Sequence, residues 1–357
     1  MKVLQLIDSL DAGGAERVAV TYANTLCDYT GGSFLCATRK EGLLKQTISS
    51  KVGYLFLNKK RTLDFNATIK LIGFVKNNDI GIIHAHSTSF FLATLVKLFC
   101  KNVSIIWHDH YGKAEEVKRR NYKLLQFCSS SFSAIISVNR LLEKWALEKL
   151  RSPKVYYLEN IVSFTTAITE NELQLKGVDH KRIICLANMR PQKDHENLIN
   201  AFNIVAQKYP DYSLHLVGKN WQDSYFKKIT GSIEKLKLND KIHYYGSQIE
   251  ISSLLRQCSI GVLSSKSEGL PLALLEYGLA KLAVVCTDVG QCKELVIPYG
   301  KCVPPNDCLK IAEGIIDYIE NPNTLLYHAS AFKKEVIKNH SLDVIIPKLV
   351  AYYESSN

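Results

Sequence analysis

Runs of residues that are apolar throughout alternate with stretches apolar at helical spacing, and this rhythm limits the chain to few folds. "KVLQLID" (2–8) is followed by a glycine-containing turn and "AERVAVTYANTLCDY". The runs "SFLCAT" (33–38), "GYLFLN" (53–58), "IGIIHA" (80–85), "VSIIWH" (103–108), "FSAIISV" (132–138) and "KVYYLEN" (154–160) continue it, with helical stretches between most of them. A strand with no polar face must be covered on both sides, which calls for a parallel sheet flanked by helices. Residues 161–181 are polar and aperiodic and read as a linker. The rhythm then restarts with "RIICLAN" (182–188), "YSLHLVG" (212–218), "KIHYYG" (241–246), "IGVLSS" (260–265) and "KLAVVCT" (281–287). Three helical stretches follow at 307–321, 324–339 and 341–356. With 357 residues, the pattern predicts two doubly wound α/β domains. Ligands of such sheets sit beyond the carboxyl ends of the strands, and two domains facing each other make a cleft there.

"MKVLQLIDSL" has one basic residue and an apolar run interrupted by Asp8, unlike a secretory signal. The most apolar helix, "FFLATLVKLFC" (90–100), carries Lys97 and is too short to span a bilayer. Ten cysteines show no CxxC pairing and read as reduced thiols in a cytoplasmic protein rather than as disulfides or a zinc site. The net charge of +11 is lopsided: residues 1–160 hold 23 Lys and Arg against 13 Asp and Glu, and the rest of the chain 22 against 21. That surplus suits solubility alone, or an anionic partner of the first half.

Four loops point at the expected cleft. "DAGGAERV" (11–18) puts Gly13 and Gly14 before a helix N-terminus, a turn that favours anions but lacks the GxGxxG dinucleotide pattern. "HAHS" (84–87) and "WHDH" (107–110) end two strands with four histidines. A histidine there can hydrogen-bond a ligand, His108 foremost; a shared metal needs convergence that spacing does not establish. "ANMRPQKDHENL" (187–198) sets Arg190 and Lys193 ahead of a helix, a place for a diphosphate. In "SEGLPLALLEYGLA" (267–280), Pro271 reads as the first helical residue, with Glu268 outside the helix and Glu276 within it. At helical rise the two carboxylates stand roughly 10 Å apart. That is too far for a retaining glycosidase pair and suits the two ends of one extended ligand, its anionic middle over the N–H groups near 269–271.

Together these residues resemble the family-4 retaining glycosyltransferases with the GT-B fold, over essentially the whole length. The most specific element is the E-x7-E pair, Glu268 and Glu276; "GGAE", "LANMRPQKDHENLI", "HLVG", "YYGSQIEISSLLRQCSIGVLSS" and "GQCKELV" support it. The resemblance implies two facing Rossmann-like domains: an acceptor domain at 1–165 with the final helix, 341–357, packed back on it, and a nucleotide-sugar domain at 166–340. It implies that Glu276 holds the ribose, Glu268 the sugar hydroxyls, and the backbone at Gly269, Leu270 and Pro271 the sugar or phosphate. Lys193 would neutralise the diphosphate, Gly13 and Gly14 approach it, Gly218 line the nucleotide site, and His108 stand near the transferred sugar. Where the family often has "GRL", this chain has Ala187, Asn188 and Met189, so Arg190 would have to supply the guanidinium.

The expected reaction moves a hexose or N-acetylhexosamine from a UDP- or GDP-sugar to a glycan acceptor with retention. Arg190, Lys193 and helix N-termini would stabilise the departing diphosphate. No DxD-type motif serves a cleft loop, so no metal or other cofactor is expected. Basic stretches at 114–125 and 139–151, with Tyr122 and Trp145, read as interfacial helices facing an anionic membrane and a lipid-linked acceptor in surface polysaccharide synthesis. A glycoside hydrolase and a sugar-nucleotide epimerase are the enzymatic rivals. A nucleic-acid binder has only the charge in its favour, and no nucleic-acid module is present.

Overall fold

The computed structural model describes residues 1–112, 114–164 and 173–356. Residues 165–172, inside the stretch read as a linker, lie outside the described residues. The chain forms two compact units, one comprising Met1–Ile161 with Leu342–Asn357, the other Val162–Ser341.

The first unit runs β1 (Lys2–Ser9), α1 (Gly14–Leu26), β2 (Gly32–Lys40), β3 (Gly53–Phe56), α2 (Phe65–Asn77), β4 (Ile82–His86), α3 (Phe90–Phe99), β5 (Ser104–Asp109), α4 (Lys123–Ser129), β6 (Ala134–Ser137), α5 (Arg140–Lys149) and β7 (Val155–Tyr157). Its seven strands lie in the order β3-β2-β1-β4-β5-β6-β7, all parallel. The order reverses between β1 and β4, which creates a crevice at their carboxyl ends. One face of the sheet builds a core from Ile83, Ala85, Ile105, Trp107 and Ile135 with residues of α2 to α5. Each such fully buried aliphatic side chain contributes about 1.5–3 kcal/mol.

The second unit runs β8 (Arg182–Leu186), α6 (His195–Lys208), β9 (Ser213–Val217), α7 (Ser224–Lys235), β10 (Ile242–Tyr244), α8 (Ser252–Arg256), β11 (Ile260–Leu263), α9 (Leu272–Leu279), β12 (Ala283–Thr287), α10 (Cys292–Val296), β13 (Lys301–Val303), α11 (Cys308–Glu320) and α12 (Pro322–His340). Its order is β10-β9-β8-β11-β12-β13, again parallel throughout, and it reverses between β8 and β11. Two cores cover its faces, one built around Phe202 and Ile260, the other around Leu274, Tyr277 and Phe332. The last helix, α13 (Leu342–Ser355), belongs to the first unit, where Tyr352 stacks on Tyr156 at 4.2 Å.

Several helix starts follow from single residues. Asp64, Asn139, Asp223 and Asp307 each accept an N–H from the first turn of α2, α5, α7 and α11, a cap worth about 1 kcal/mol apiece. Other helices have no side-chain cap, among them α1, α6 and α9 at the two order reversals, which begin after Gly13, Asp194 and Pro271.

Some readings of the sequence need correction. The basic stretch near 114–125 is a short 3-10 turn, Ala114–Arg119, followed by α4 rather than one helix. Trp145 is no interfacial residue. It is buried in the core, with Tyr122 edge-on at 5.8 Å and the Arg120 guanidinium 4.8 Å from its ring. Arg120 is held there by Asp109, buried at the end of β5, through a 2.6 Å ion pair. All ten cysteines are free thiols. Among the described residues no helix is long and apolar enough to cross a membrane.

Candidate active site

Strands β8 and β11 pair only near their starts, at Ile183 with Ile260 and Ile184 with Gly261. Beyond that point Tyr277 stands between them. Its hydroxyl accepts the Leu186 N–H at 2.7 Å and donates to the Val262 carbonyl at 3.2 Å. The ring lies so close to Gly261 that a Cβ there would meet it at 2.5 Å. The strands are thus splayed at their carboxyl ends, and the crevice between their exit loops is built in.

Those two loops are laced together. The Lys266 N–H donates to the Gln192 carbonyl at 2.7 Å, Ser264 Oγ to the Lys193 carbonyl at 2.9 Å, and Lys266 pairs with Asp194 at 3.0 Å. Asp194 is left-handed, with φ of 51°, and turns the chain from the Pro191–Lys193 turn into α6. The result brings Lys193 Nζ to 2.5 Å from Glu268 Oε1. Ser265 Oγ donates to the same oxygen at 2.6 Å. Glu268 is 4% exposed, so its charge is matched inside the protein by one cation and one hydroxyl. The sequence placed Lys193 and Glu268 on separate parts of a ligand; the structure joins them in an ion pair. Arg190 is exposed, and its guanidinium lies 4.6 Å from the Trp221 ring centre, held on an aromatic face beside the loop.

Helix α9 begins at Leu272, and Pro271 precedes it as an extended residue with ψ of 124°. Pro271 is therefore the cap rather than the first helical residue, and it has no N–H to offer. The donors of this terminus are the N–H groups of the first turn, at Leu272 and Ala273, which have no partner within the helix. The stretch before Pro271 is not helical, so the helical-rise spacing of the two carboxylates holds only for its second half. Glu276 sits on α9, 9% exposed. Gly290, after β12, lets this loop take its shape: it is left-handed at φ 55°, and a Cβ would stand 2.4 Å from the Glu268 carbonyl oxygen. The next residue, Gln291, donates its N–H to the Gly269 carbonyl at 3.0 Å.

Gly218 has another reason to be glycine. A Cβ would stand 2.1 Å from the Ala187 carbonyl oxygen. Its N–H donates to Gly246 at 2.9 Å and its carbonyl accepts from Tyr244 at 2.7 Å. The residue that read as a nucleotide contact has both backbone groups engaged within the protein, and a side chain there would press on the Ala187 carbonyl.

In the first unit Gly13 precedes α1 and Gly14 is its first residue. Here the sequence left out a charge. A Cβ on Gly13 would stand 2.3 Å from Glu16 Oε2, so a carboxylate already lies at this helix start, and Ser9 Oγ donates to it at 3.1 Å. An anion at Gly13 and Gly14 requires Glu16 to turn away.

The four histidines form one cluster. Residues two apart share a face of a strand, and register places His86 of β4 opposite His108 of β5. The His84 and His108 rings are 7° from parallel with Nε2 of the first 3.1 Å from Nδ1 of the second. His86 Nδ1 lies 2.9 Å from His110 Nε2, and Tyr22 of α1 stacks on His84 and His108. Burial pushes His84, His86 and His108 well below the usual histidine value, helped by the neighbouring rings; it pushes His110 down to about 3. One nitrogen from each of His84, His86 and His108 lies within 4.8 Å of the others. A cation there would have to break bonds the rings make with each other, so the arrangement is one of a hydrogen-bonded chain.

Sequence reasoning missed Ser265, Tyr277 and Gly290. Tyr277 follows Glu276 in an apolar helix, where nothing distinguishes it from an ordinary core residue. Gly290 follows a strand end, a signal of a turn but not of which loop it must admit.

Two family models match successive parts of the chain: Glycosyltransferase Family 4 over residues 12–164 and Glycosyl transferases group 1 over residues 169–336. The chain belongs to these family-4 glycosyltransferases of the GT-B fold. It is 26% identical to the O-antigen biosynthesis glycosyltransferase WbnH of Escherichia coli over 347 residues, covering 94% of this chain and 96% of that protein. An uncharacterized glycosyltransferase of Haemophilus influenzae is 23% identical over 88% of this chain and 89% of its own. The fold matches the crystal structure of Anabaena Alr3699/HepE in complex with UDP and glucose, with a TM-score of 0.82 at 18% identity, over 99% of this chain and 100% of that one.

Proposed function

We propose that this glycosyltransferase retains configuration, needs no metal, and moves a hexose or N-acetylhexosamine from a UDP-sugar to a lipid-linked glycan in surface polysaccharide synthesis. The observation that carries the reading is the Lys193–Glu268 pair at the splayed end of β8 and β11, beside an uncapped helix that carries Glu276. The relative WbnH acts in O-antigen biosynthesis, and HepE was crystallised with UDP and glucose; both favour this donor and this role.

In this reading the ribose hydroxyls donate to Glu276 and the diphosphate lies over the start of α9. The diphosphate draws Lys193 from Glu268, whose carboxylate then accepts from hydroxyls of the donor sugar. The bond from the anomeric carbon to the β-phosphate oxygen breaks as the acceptor oxygen attacks on the same face. The acceptor's proton passes to that departing oxygen. Negative charge grows on the diphosphate, where the helix N–H groups are already aimed and Lys193 arrives from Glu268; a preorganised donor at such a place is worth about 3–4 kcal/mol. Arg190 adds a second cation when it leaves Trp221.

A thermal-shift panel of UDP- and GDP-sugars tests this. A UDP-sugar should raise the melting temperature of the wild type and leave Glu276→Ala unmoved. A shift equal in both proteins, or none with any nucleotide sugar, would overturn it.

A further inference from the structure

The buried histidines are joined to two residues that the donor site does not explain. Gln5 of β1 lies opposite His84 of β4 in the sheet register. Its Oε1 is 2.8 Å from His86 Nε2, and its Nε2 donates to the Tyr353 hydroxyl at 3.2 Å. That hydroxyl, brought by α13, is 2.6 Å from His84 Nδ1. All three side chains, Gln5, His84 and Tyr353, have no exposed surface.

The bond directions follow from the amide together with the buried Tyr353 hydroxyl, whose proton meets no acceptor but His84 Nδ1 among the described residues. The amide NH2 can only donate, so Tyr353 accepts from it and has its own proton left for His84 Nδ1. A neutral imidazole has one N–H, so His84 carries its proton on Nε2 and donates to His108 Nδ1. His108 then carries its proton on Nε2. On the other branch the amide oxygen accepts from His86 Nε2–H, and His86 Nδ1 accepts from His110. The far end of the first branch, His108 Nε2, is buried and has no hydrogen-bond partner among the described residues. Burial holds the Tyr353 phenol well above its usual value and the three buried imidazoles well below theirs, so none of these groups changes charge near neutral pH.

We propose that Gln5 and Tyr353 are positioning residues that lock His108 as the Nε2–H tautomer, so that it presents a hydrogen-bond donor and no lone pair. The proposal deepens the reading of His108 as a group at the transferred sugar, and rests on that reading for its use. As this tautomer His108 can give a hydrogen bond to a ligand oxygen through Nε2, and through that atom it can neither take up a proton nor ligate a metal. Reversing the Gln5 amide would reverse each bond and turn His108 Nε2 into a base, so the two cases differ in one observable.

The experiment is a set of long-range proton–nitrogen spectra of the full-length, nitrogen-15-labelled protein without ligand, with the His108 signals assigned by their loss in His108→Gln. The wild type should show His108 protonated at Nε2 alone. Tyr353→Phe, which keeps the ring and removes the hydroxyl, should show both tautomers of His108. Its kcat should fall roughly tenfold or more, with the KM for donor within about twofold. A wild-type His108 protonated at Nδ1, or a Tyr353→Phe spectrum that keeps Nε2–H alone, would overturn the proposal. Should Tyr353→Phe fail to fold, the wild-type spectrum still decides. Because the spectra are taken without ligand, they stand or fall separately from UDP-sugar binding, which the thermal shift reads.

Discussion

Lys193 and Glu268 do different work when apart and when paired. Without ligand each neutralises the other in a site where Glu268 is 4% exposed. Lys193→Ala therefore leaves a buried carboxylate without its cation, at a cost of about 3 kcal/mol of stability. It also removes a donor from the departing diphosphate, with an expected loss of about 10²–10³ in kcat. Chemical denaturation and steady-state kinetics on the one variant read the two losses. The histidines make a second prediction at this scale. His195 is pushed down to about 4 and His215 to about 3, both by burial, and the cluster of His84, His86, His108 and His110 is depressed as well. The unfolded chain takes up protons at each below about pH 6.5, and the folded chain refuses them. Stability is thus held above pH 6.5 and lost as the pH falls, by about 1.4 kcal/mol per group per unit until each folded pKa is reached. Urea denaturation at pH 7.5 and 5.5 should show the drop; equal midpoints would contradict the burial of these rings.

At the scale of elements, the site depends on how α9 and the loop after β12 meet the β8–β11 opening. Tyr277→Phe leaves the Leu186 N–H and the Val262 carbonyl without the hydroxyl that joins them. It should cost about 1–3 kcal/mol and weaken UDP-sugar affinity as the exit loops shift, which calorimetric titration would register. Gly290→Ala combines a left-handed φ with contact against the Glu268 carbonyl, so it should both raise the KM for donor and lower the melting temperature, which kinetics and a thermal melt on the one variant would read. Much of this layer was legible. Apolar runs marked most strands to within a few residues. What escaped was pairing across the fold. Nothing near Lys193 in the sequence names Glu268 as its partner, since the two meet only because β8 and β11 are neighbours. The start of α9 was misread by one residue because proline suits a cap as well as a first turn. Helix α7 and strand β13 were missed, the first for its polar sequence and the second for its three residues.

For the whole molecule, two parallel sheets were readable from rhythm alone, whereas the packing of α13 on the first unit came only from the family resemblance, since that contact joins residues 348 apart. The lopsided charge has a structural counterpart in the first unit. Phe65, Ile69, Leu98, Phe99, Leu124 and Phe127 are exposed on α2, α3 and α4, helices that neighbour one another in chain order. Lys70, Lys97 and Lys123 lie on the same helices. Were the proposed lipid-linked acceptor met at an anionic membrane, the exposed phenylalanines would take the place the sequence gave to Trp145. Phe65→Ser with Phe127→Ser should reduce cosedimentation with anionic vesicles at low salt and leave the melting temperature within a degree or two; unchanged sedimentation would remove the membrane from the account. The central claim is narrower and lies in the second unit. A crystal structure with a bound UDP-sugar tests it most directly: the ribose should rest on Glu276, the diphosphate over the first turn of α9 with Lys193 turned toward it, and the sugar against Glu268. A nucleotide found away from the β8–β11 opening, with the Lys193–Glu268 pair undisturbed, would contradict it.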